Sequence, residues 1–250
     1  MLLASDPFVD VATPTGPMRT YLYRPVPAQG TKGPDRFPGV VLYSEIFQRT
    51  APIHRTANML AGLGFLVAVP EIFHEHEPAG TVLGYDKPGT DRGNELKITK
   101  PVAGHDSDAR AALDLLKASP HCTGALGVMG ICIGGHLAFR AAMQPDVRAT
   151  ACFYATDIHK GSLGTGDDSL ARAGDIRGEL MMVWGRQDPH VPDEGRALIQ
   201  RRLVEVGATF SWHEHNAQHA FLRDEGPRYD PALALLSYRQ IADLFARLLR

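Results

Sequence analysis

A cysteine flanked by glycines lies where an apolar run meets the start of a helical pattern. Gly130 and Gly134 surround Cys132 in the sequence Gly-Ile-Cys-Ile-Gly, which matches the sharp strand-to-helix turn that exposes a nucleophile, with cysteine in place of the usual serine. The turn needs glycines because its apex takes a positive φ and neighbouring Cβ atoms would crowd the helix. The helix N-terminus favours the reactive thiolate. The pattern predicts a nucleophilic Cys132; a small buried cysteine in a glycine-rich turn is the alternative.

An acid and a histidine follow Cys132 in the order that such a turn requires. Asp188 comes just after the apolar run 180–184, and His219 lies in a loop after the alternating segment 210–215. A free cysteine has a pKa of about 8.5, so little of it is thiolate at neutral pH. A histidine can take the thiol proton and later return it to a leaving group, and an aspartate can orient that histidine. The order predicts a catalytic triad.

Both partners of the cysteine have other interpretations. Asp188 could simply start a turn before Pro189, as aspartate commonly does. His213 and His215 lie two residues apart in an alternating segment and therefore point to one face, where they could bind a metal together with His219. No cysteine or carboxylate cluster with a zinc-type spacing accompanies them, so we expect no metal site.

Alternating strand and helix patterns would position these residues at one edge of a sheet. The interior strands read as continuous apolar runs, which is typical of parallel strands covered on both faces. The alternation predicts an α/β fold with a doubly wound, mostly parallel sheet, helices on both faces and ligands at the carboxyl ends of the strands. Glu45, Cys132 and Asp188 all fall at such ends. The predicted strands are 18–23, 40–44, 65–69, 125–129, 149–154, 180–184 and 209–213, and the predicted helices are 52–63, 107–118, 135–143, 193–206 and 231–249.

Two segments carry no predicted element. The segment 25–38 is rich in proline and glycine and is predicted to be a surface loop. The longest irregular stretch is 74–102, which contains several prolines and glycines. A loop of that length in a compact domain is often a lid or a binding loop. A poorly ordered surface loop is an alternative of equal weight.

Composition and charge fit one globular α/β domain that spans residues 1–250. A net charge of −2 gives no electrostatic reason to expect nucleic acid or an anionic membrane as a partner. We find no apolar stretch long enough to span a bilayer and no signal-peptide pattern. Three cysteines are too few and odd in number for a disulfide framework. A reduced, cytoplasmic location is therefore expected.

Four motifs of the chain occur together in one known family. They are Gly-Ile-Cys-Ile-Gly-Gly around Cys132, Trp-Gly-Arg-Gln-Asp ending at Asp188, His-Ala-Phe beginning at His219, and Val-Val-Leu-Tyr-Ser-Glu-Ile-Phe around Glu45. With these motifs the chain resembles the dienelactone hydrolase family from about Tyr21 to the C-terminal helix. The resemblance implies an α/β-hydrolase fold with the triad roles on Cys132, Asp188 and His219. It also implies that Glu45 approaches the thiol, as the family's strand-end glutamate does.

The chain departs from the family pattern beside three of these residues. Ile131 precedes the cysteine where an aromatic residue is common, and Ala220 follows the histidine where a small polar residue is common. Ser44 stands where glutamine often precedes the glutamate. These positions border the predicted pocket and therefore bear on which substrate it accepts.

The expected chemistry is acyl transfer in two halves. Cys132 attacks an ester or lactone carbonyl and forms a thioester, and water activated by His219 then releases the acid. Backbone N–H groups of Ile133, directly after the cysteine, and of Ile46, just after a strand, are expected to bind the oxyanion. Glu45 is expected to help deprotonate the thiol, and a strand-end carboxylate paired with a surface cation is the alternative.

Substrates of the family carry a carboxylate, so the resemblance also implies a cation near the cysteine. Arg223 is the first candidate because a guanidinium can bind both oxygens of a carboxylate. It could instead pair with its neighbours Asp224 or Glu225 at the surface. Arg92 or Lys97, both in the long irregular segment, could supply a second cation.

The sequence therefore predicts a hydrolase of a dienelactone-type enol lactone or ester, a small molecule, with no cofactor, acting as a monomer or homodimer. A carboxylesterase or thioesterase of broad specificity on the same fold is an alternative, and so is a non-catalytic thiol sensor. A sensor usually needs a resolving cysteine, and Cys122 is predicted at the opposite end of a strand from Cys132. Cys152 lies in an apolar run and is predicted to be a buried core thiol.

Overall fold

The computed structural model describes the backbone of residues 2–26 and 33–250 and the side chains of residues 8–26 and 33–250. The strands in this part of the chain are β1 (Leu2–Thr13), β2 (Gly16–Val26), β3 (Phe37–Tyr43), β4 (Leu66–Pro70), β5 (Cys122–Ile131), β6 (Val147–Phe153), β7 (Glu179–Gly185) and β8 (Phe210–His215). The helices are α1 (Ala51–Gly62), α2 (Lys87–Thr99), α3 (Val102–Ala118), α4 (Ile133–Ala141), α5 (Asp193–Glu205) and α6 (Pro231–Leu249). Two short 3₁₀ turns are Ile158–Lys160 and Ala171–Asp175.

The strands form one sheet in the order β1-β2-β4-β3-β5-β6-β7-β8. Neighbouring strands from β4 and β3 to β8 are parallel, whereas β2 is antiparallel to both β1 and β4. This confirms the predicted doubly wound, mostly parallel sheet. The order of the strands reverses where β3 lies beside β5, and sheets of this kind bind ligands at the carboxyl ends of their strands at such a point.

Both faces of the sheet are covered, as the continuous apolar runs predicted. In β3, which is buried throughout, Val40 and Leu42 join a core formed with α1 and α6 on one face. Val41 and Tyr43 join a second core formed with α3, α4 and α5 on the other face. Both faces of the central strands therefore contribute to packing, and the polar residues that follow β3, β5 and β7 are left at the carboxyl edge.

The sequence analysis missed the edge strand β1. Its register with β2 shifts between Asp6 and Val9, where Pro7 interrupts the ladder. A proline cannot donate a ladder hydrogen bond and is found at edges and bulges, which is why a segment containing one does not read as a strand. The tight turn between Thr13 and Gly16 completes this hairpin, and Gly16 takes φ 124° there.

The prediction that 74–102 is irregular throughout is wrong, because α2 occupies its second half and α3 begins five residues earlier than predicted. Asp86 caps α2 by accepting a hydrogen bond from Gly89 N at 2.8 Å. A Cβ placed on Gly93 would lie 2.8 Å from the carbonyl oxygen of Ile46. Gly93 thus allows α2 to pack closely against the backbone of Ile46. This packing is a tertiary contact, so the local sequence does not predict it.

The predicted loop 25–38 is shorter than expected, because its first residues belong to β2 and its last to β3. Its middle, residues 27–32, lies outside the described part of the chain. Among the described residues, no helix has both the length and the apolar character needed to cross a membrane.

Candidate active site

Cys132 stands at the apex of the turn between β5 and α4. Its φ is 62°, a value that residues with a side chain rarely adopt. Backbone hydrogen bonds hold this conformation: Cys132 N donates to Phe153 O at 3.0 Å, and Cys132 O accepts from Gly135 N at 3.0 Å and from Thr156 N at 3.3 Å. The surrounding structure therefore holds the Cys132 backbone in a strained conformation, as is common at functional sites.

The glycines beside Cys132 are required by contact with backbone. A Cβ on Gly130 would lie 1.8 Å from Gly134 O, and a Cβ on Gly134 would lie 2.4 Å from Tyr43 O. No side chain can occupy either position without moving the turn or the end of β3. The glycine pattern around Cys132 is therefore a steric requirement of the turn. The turn also packs directly on the carboxyl end of β3.

Asp188 and His219 meet just beyond the ends of β7 and β8. Asp188 Oδ2 lies 2.7 Å from His219 Nδ1, while Asp188 Oδ1 accepts a hydrogen bond from His190 N at 2.8 Å. One carboxylate oxygen of Asp188 therefore starts the turn before Pro189, and the other is hydrogen-bonded to the imidazole. Both side chains are buried.

His219 lines the same cavity as Cys132, and the two side chains interact. Burial by itself lowers the pKa of His219, but the negative charge of Cys132 and hydrogen bonds to Asp188 and Cys132 outweigh it and raise the pKa to about 10. The imidazole ring packs edge-on against the Tyr154 ring, with 4.9 Å between centroids. An imidazolium held in this way stabilises a thiolate beside it and can pass a proton to or from a bound molecule.

The side chains of Cys132 and His219 line one cavity of about 210 Å³. This is smaller than the roughly 300–1,000 Å³ of sites for drug-sized ligands, so it suits a small molecule. One wall is a face of α2, where Thr90, Asn94 and Lys97 follow helical spacing. The segment 74–102 therefore builds part of the cavity wall.

Glu45 lies in the cavity wall just after β3 and is only 2% exposed. Burial raises the pKa of its carboxyl group, although the nearby charge of Arg223 and a hydrogen bond from Tyr85 act in the opposite direction. The Tyr85 hydroxyl lies 3.3 Å from Glu45 Oε2, and Arg223 Nη1 lies 4.0 Å from the same oxygen. The cation beside Glu45 is thus inside the cavity, which removes the alternative of a surface ion pair.

The predicted oxyanion donors lie where they were expected along the chain. Ile133 is the first residue of α4, so its N–H has no acceptor within the helix. Ile46 lines the cavity, and none of the described residues accepts a hydrogen bond from its N–H. Both N–H groups are therefore available to a ligand oxygen.

The structure brings Arg223 to the cavity but not Arg92. The Arg223 guanidinium lies 4.4 Å from the centre of the Tyr85 ring. Its acidic neighbours pair elsewhere, since Asp224 and Glu225 bind Arg55 at 2.6 and 2.7 Å. Arg92 lies outside the cavity lining, and its guanidinium binds two glutamates, Glu77 at 2.6 Å and Glu95 at 3.0 Å.

Several cavity residues were not found from the sequence. His190 follows Asp188 by two residues, and its ring lies 4.6 Å from that of His219. Tyr85 and Arg228 come from irregular segments that carry no recognisable motif. Lys97 is one of the two predicted candidates for a second cation and does line the cavity. The helical spacing that it shares with Thr90 and Asn94 was hidden by the glycines of α2.

The structure does not group His213 and His215 with His219 as possible metal ligands. His213 and His215 stack on β8 with 6.4 Å between ring centroids, and neither lines the cavity with His219. Within the described residues, Asp188, His190 and His219 form one close group and His74, Glu75 and Asp108 another. In the second group the Lys100 ammonium binds Glu75 at 2.7 Å and also binds Asp108, so a cation of the chain already occupies it. The first group contains the Asp188–His219 hydrogen bond.

The other two cysteines do not line the cavity. Cys122 begins β5 and Cys132 follows its end, so the strand separates them. Cys152 is fully buried, as predicted, and burial raises the pKa of its thiol. Neither is placed to pair with Cys132.

The sheet topology and the site at its carboxyl edge are those of α/β-hydrolases. A family model for the dienelactone hydrolase family matches residues 18–249, and the chain belongs to this family. It is 40% identical over 259 residues to a Saccharomyces cerevisiae protein named "Putative carboxymethylenebutenolidase", covering 100% of this chain and 94% of that protein. It is 25% identical over 225 residues to the carboxymethylenebutenolidase of Pseudomonas sp. P51, covering 89% of this chain and 88% of the relative.

Solved structures show the same fold. A Klebsiella pneumoniae protein described as a "Putative Dienelactone Hydrolase" superposes with a TM-score of 0.84 at 21% identity, over 99% of this chain and 100% of that one. The family membership and these relatives establish a hydrolase that acts on ester or lactone bonds of small molecules.

Proposed function

We propose that this protein hydrolyses a small enol lactone or ester that bears a carboxylate, of the dienelactone type, through a thioester on Cys132. The observation that carries the proposal is that Cys132 and His219 line one small cavity, where His219 Nδ1 lies 2.7 Å from Asp188 Oδ2. Thiol, imidazole and carboxylate in this order are the components of nucleophilic acyl transfer.

In the first half, the Cys132 thiolate adds to the carbonyl carbon and forms a tetrahedral oxyanion. The N–H groups of Ile133 and Ile46 donate to that oxygen, and removal of one such donor typically costs about 10²–10³ in rate. The carbon–oxygen bond to the leaving group then breaks, and protonated His219 gives its proton to the departing oxygen. The product of this half is a thioester on Cys132.

In the second half, neutral His219 takes a proton from water, and the resulting hydroxide adds to the thioester carbonyl. The same N–H groups bind the second oxyanion. Collapse breaks the carbon–sulfur bond, so that Cys132 leaves as thiolate beside protonated His219 and the product leaves as a carboxylic acid. Asp188 keeps the imidazole in one orientation in both halves.

The charges of the cavity support an anionic substrate. Lys97, Arg223 and Arg228 line it together with a single carboxylate, Glu45. The name of the relatives, carboxymethylenebutenolidase, describes an enzyme for an unsaturated lactone with a carboxymethylene group. A guanidinium binds such a carboxylate through both oxygens, and we assign this contact to Arg223.

The substrate assignment is tested by comparing the hydrolysis of a dienelactone with that of p-nitrophenyl acetate. We expect kcat/KM to be higher for the dienelactone, because only this compound offers a carboxylate to the cavity cations. Faster hydrolysis of the simple ester would replace the proposal with a carboxylesterase of broad specificity that uses the same residues.

Glu45 is expected to take the proton from the Cys132 thiol and pass it to His219, so that the thiolate and the protonated imidazole form together. In Glu45→Gln the side chain keeps its size but cannot accept a proton, and we expect kcat/KM to fall by about 10²-fold. Glu71→Gln is the matched control, because Glu71 is also 2% exposed and also follows a central strand, β4, but does not line the cavity. The control should keep activity within about twofold. Equal losses in both variants would show that Glu45 only supports the fold.

Protonated His219 is expected to keep Cys132 reactive towards iodoacetamide at neutral pH. The pKa of His219 is raised from 6.5 to about 10, so its positive charge persists across that whole interval and is lost above it. At pH 7 we expect His219→Ala to lower the alkylation rate at least about tenfold, since an unassisted thiol is only a few per cent thiolate there. The difference should shrink as the pH approaches 10. A rate that is the same in both proteins at pH 7 would contradict the ion pair.

A further inference from the structure

We propose that His136 is a positioning residue of the active site, which holds the turn of Cys132 in place through the backbone of Thr156. The inference rests on the proposed function for the role of Cys132 and adds to it a residue outside the cavity. His136 lies in the first turn of α4, and its side chain is 1% exposed. Since His136 does not line the cavity, it can act on the reaction only through its neighbours.

Both ring nitrogens of His136 have a hydrogen-bonding partner. Nδ1 lies 2.9 Å from Thr156 O, and Nε2 lies 2.7 Å from Ser169 Oγ. A carbonyl oxygen can only accept a hydrogen bond, so Nδ1 carries the proton and donates to Thr156. Burial lowers the pKa of His136 to about 4, so the ring is neutral at pH 7 and Nε2 accepts from the Ser169 hydroxyl. The two partners therefore fix the tautomer and the orientation of the ring.

A buried arginine fixes Ser169 in turn. Arg140, one turn further along α4, donates from Nη1 to Ser169 Oγ at 3.1 Å. Its guanidinium also binds the carboxylate of Asp106 on α3 through two hydrogen bonds of 2.8 and 2.6 Å. Such paired bonds hold a guanidinium in one orientation. Because Ser169 Oγ accepts from Arg140, its own proton is left for His136, and the ring is anchored to two helices.

Thr156 connects this anchor to the nucleophile. Its N–H donates to Cys132 O at 3.3 Å, and Thr156 also lines the cavity. The Cys132 backbone has a φ of 62°, and a conformation of this kind persists only while its neighbours hold it. Thr156 is thus held at its carbonyl by His136 and holds Cys132 through its amide. Loss of the hydrogen bond from His136 would loosen one of the contacts that place the Cys132 sulfur.

The residue after Thr156 also depends on this hydrogen bond. Asp157 has a φ of 68°, which is uncommon for a residue with a side chain, and its carboxylate lies 2.8 Å from Lys97 Nζ of α2. The carbonyl that accepts from His136 belongs to the peptide group between Thr156 and Asp157. One buried side chain therefore supports both the turn of Cys132 and the link to the α2 wall of the cavity.

Two variants of His136 each keep one of its two hydrogen bonds. In His136→Asn the amide nitrogen takes the place of Nδ1 and can donate to Thr156 O. In His136→Gln the amide oxygen reaches the place of Nε2 and can accept from Ser169. We expect His136→Gln to lower kcat/KM for p-nitrophenyl acetate by about 10- to 100-fold, because a displaced nucleophile loses its alignment with the carbonyl. His136→Asn should restore the rate to within about fivefold of the unmodified protein.

The control is His105→Ala, which removes another buried histidine. His105 lies on α3, outside the cavity, and none of the described residues forms a hydrogen bond with its Nε2. This variant should keep its activity even if its melting temperature falls. A purely structural role of His136 predicts instead that the asparagine and glutamine variants lose similar activity, since each of them loses one hydrogen bond.

Hydrogen exchange of the Thr156 amide gives a second measurement, which does not depend on hydrolysis. We expect this amide to exchange at least about tenfold faster in His136→Gln and at an unchanged rate in His136→Asn, with the amides of α6 as the reference for the stability of the whole fold. Equal activity losses in the two variants, or unchanged Thr156 exchange in His136→Gln, would overturn the positioning role. Hydrolysis that survives Cys132→Ala would overturn the proposed function, while the exchange rates would still decide whether His136 holds the turn.

Discussion

Replacement of Cys132 by alanine is expected to lower kcat/KM for ester and lactone hydrolysis by at least about 10⁴-fold. The variant keeps the cavity and the N–H groups of Ile133 and Ile46, so a small residual rate above that in water should remain, as in other enzymes that lose one member of a triad. Only the sulfur, whose interaction with His219 raises the pKa of that imidazole, is removed. The measurement is the initial rate with a dienelactone and with p-nitrophenyl acetate.

A matched cysteine variant controls for the loss of a thiol. Cys122→Ala removes a sulfur from the opposite end of β5, where it is buried and outside the cavity. Its activity should stay within about threefold of the unmodified protein even if its melting temperature falls. Retention of full activity by Cys132→Ala would mean that another group attacks the carbonyl and would end the thioester mechanism.

Replacement of Asp188 by asparagine is expected to lower kcat by at least about 10³-fold while the fold changes little. The two oxygens of Asp188 have separate tasks, since Oδ1 accepts from His190 N at 2.8 Å and Oδ2 meets His219 Nδ1 at 2.7 Å. The amide oxygen of asparagine can still start the turn. It cannot both do so and accept the hydrogen bond from His219 Nδ1–H, and its NH₂ group favours the wrong tautomer of the imidazole.

Asp188→Ala separates the two tasks, because it loses the turn as well as the carboxylate. We expect similar activity in the two variants but a lower melting temperature for alanine alone. Loss of the carboxylate also lowers the pKa of His219, since the hydrogen bond to Asp188 is one of the interactions that raise it. A titration of His219 by NMR that is unchanged in Asp188→Asn would contradict this account.

The parts of the site that the sequence predicts are those with local causes. Gly130 and Gly134 are required because backbone atoms lie where a side chain would be. The glycine pattern around Cys132 therefore predicts the shape of the turn by itself. Asp188 and His219 follow strand ends, and strand ends of a parallel sheet lie at one edge whatever the packing details. Their meeting could therefore be foreseen before any distance was known.

The parts that the sequence does not predict have tertiary causes. Gly93 looks like a helix breaker, yet α2 needs it to approach Ile46. Arg92 and Arg228 are both arginines of segments that contain no motif. The packing of α2 places Arg92 against a glutamate, whereas the loop before α6 places Arg228 in the cavity wall. The alternation of His213 and His215 was correctly placed on one face, but that face does not meet His219.

The central claim is a thioester on Cys132, and the most direct measurement is mass spectrometry of the protein after rapid acid quench during turnover of p-nitrophenyl acetate. We predict that the intact mass increases by one acetyl group and that peptide fragmentation places this group on the sulfur of Cys132. The adduct should be absent from Cys132→Ala and should disappear once substrate is exhausted. An acetyl group on any other residue of a protein that turns over the ester would contradict the account.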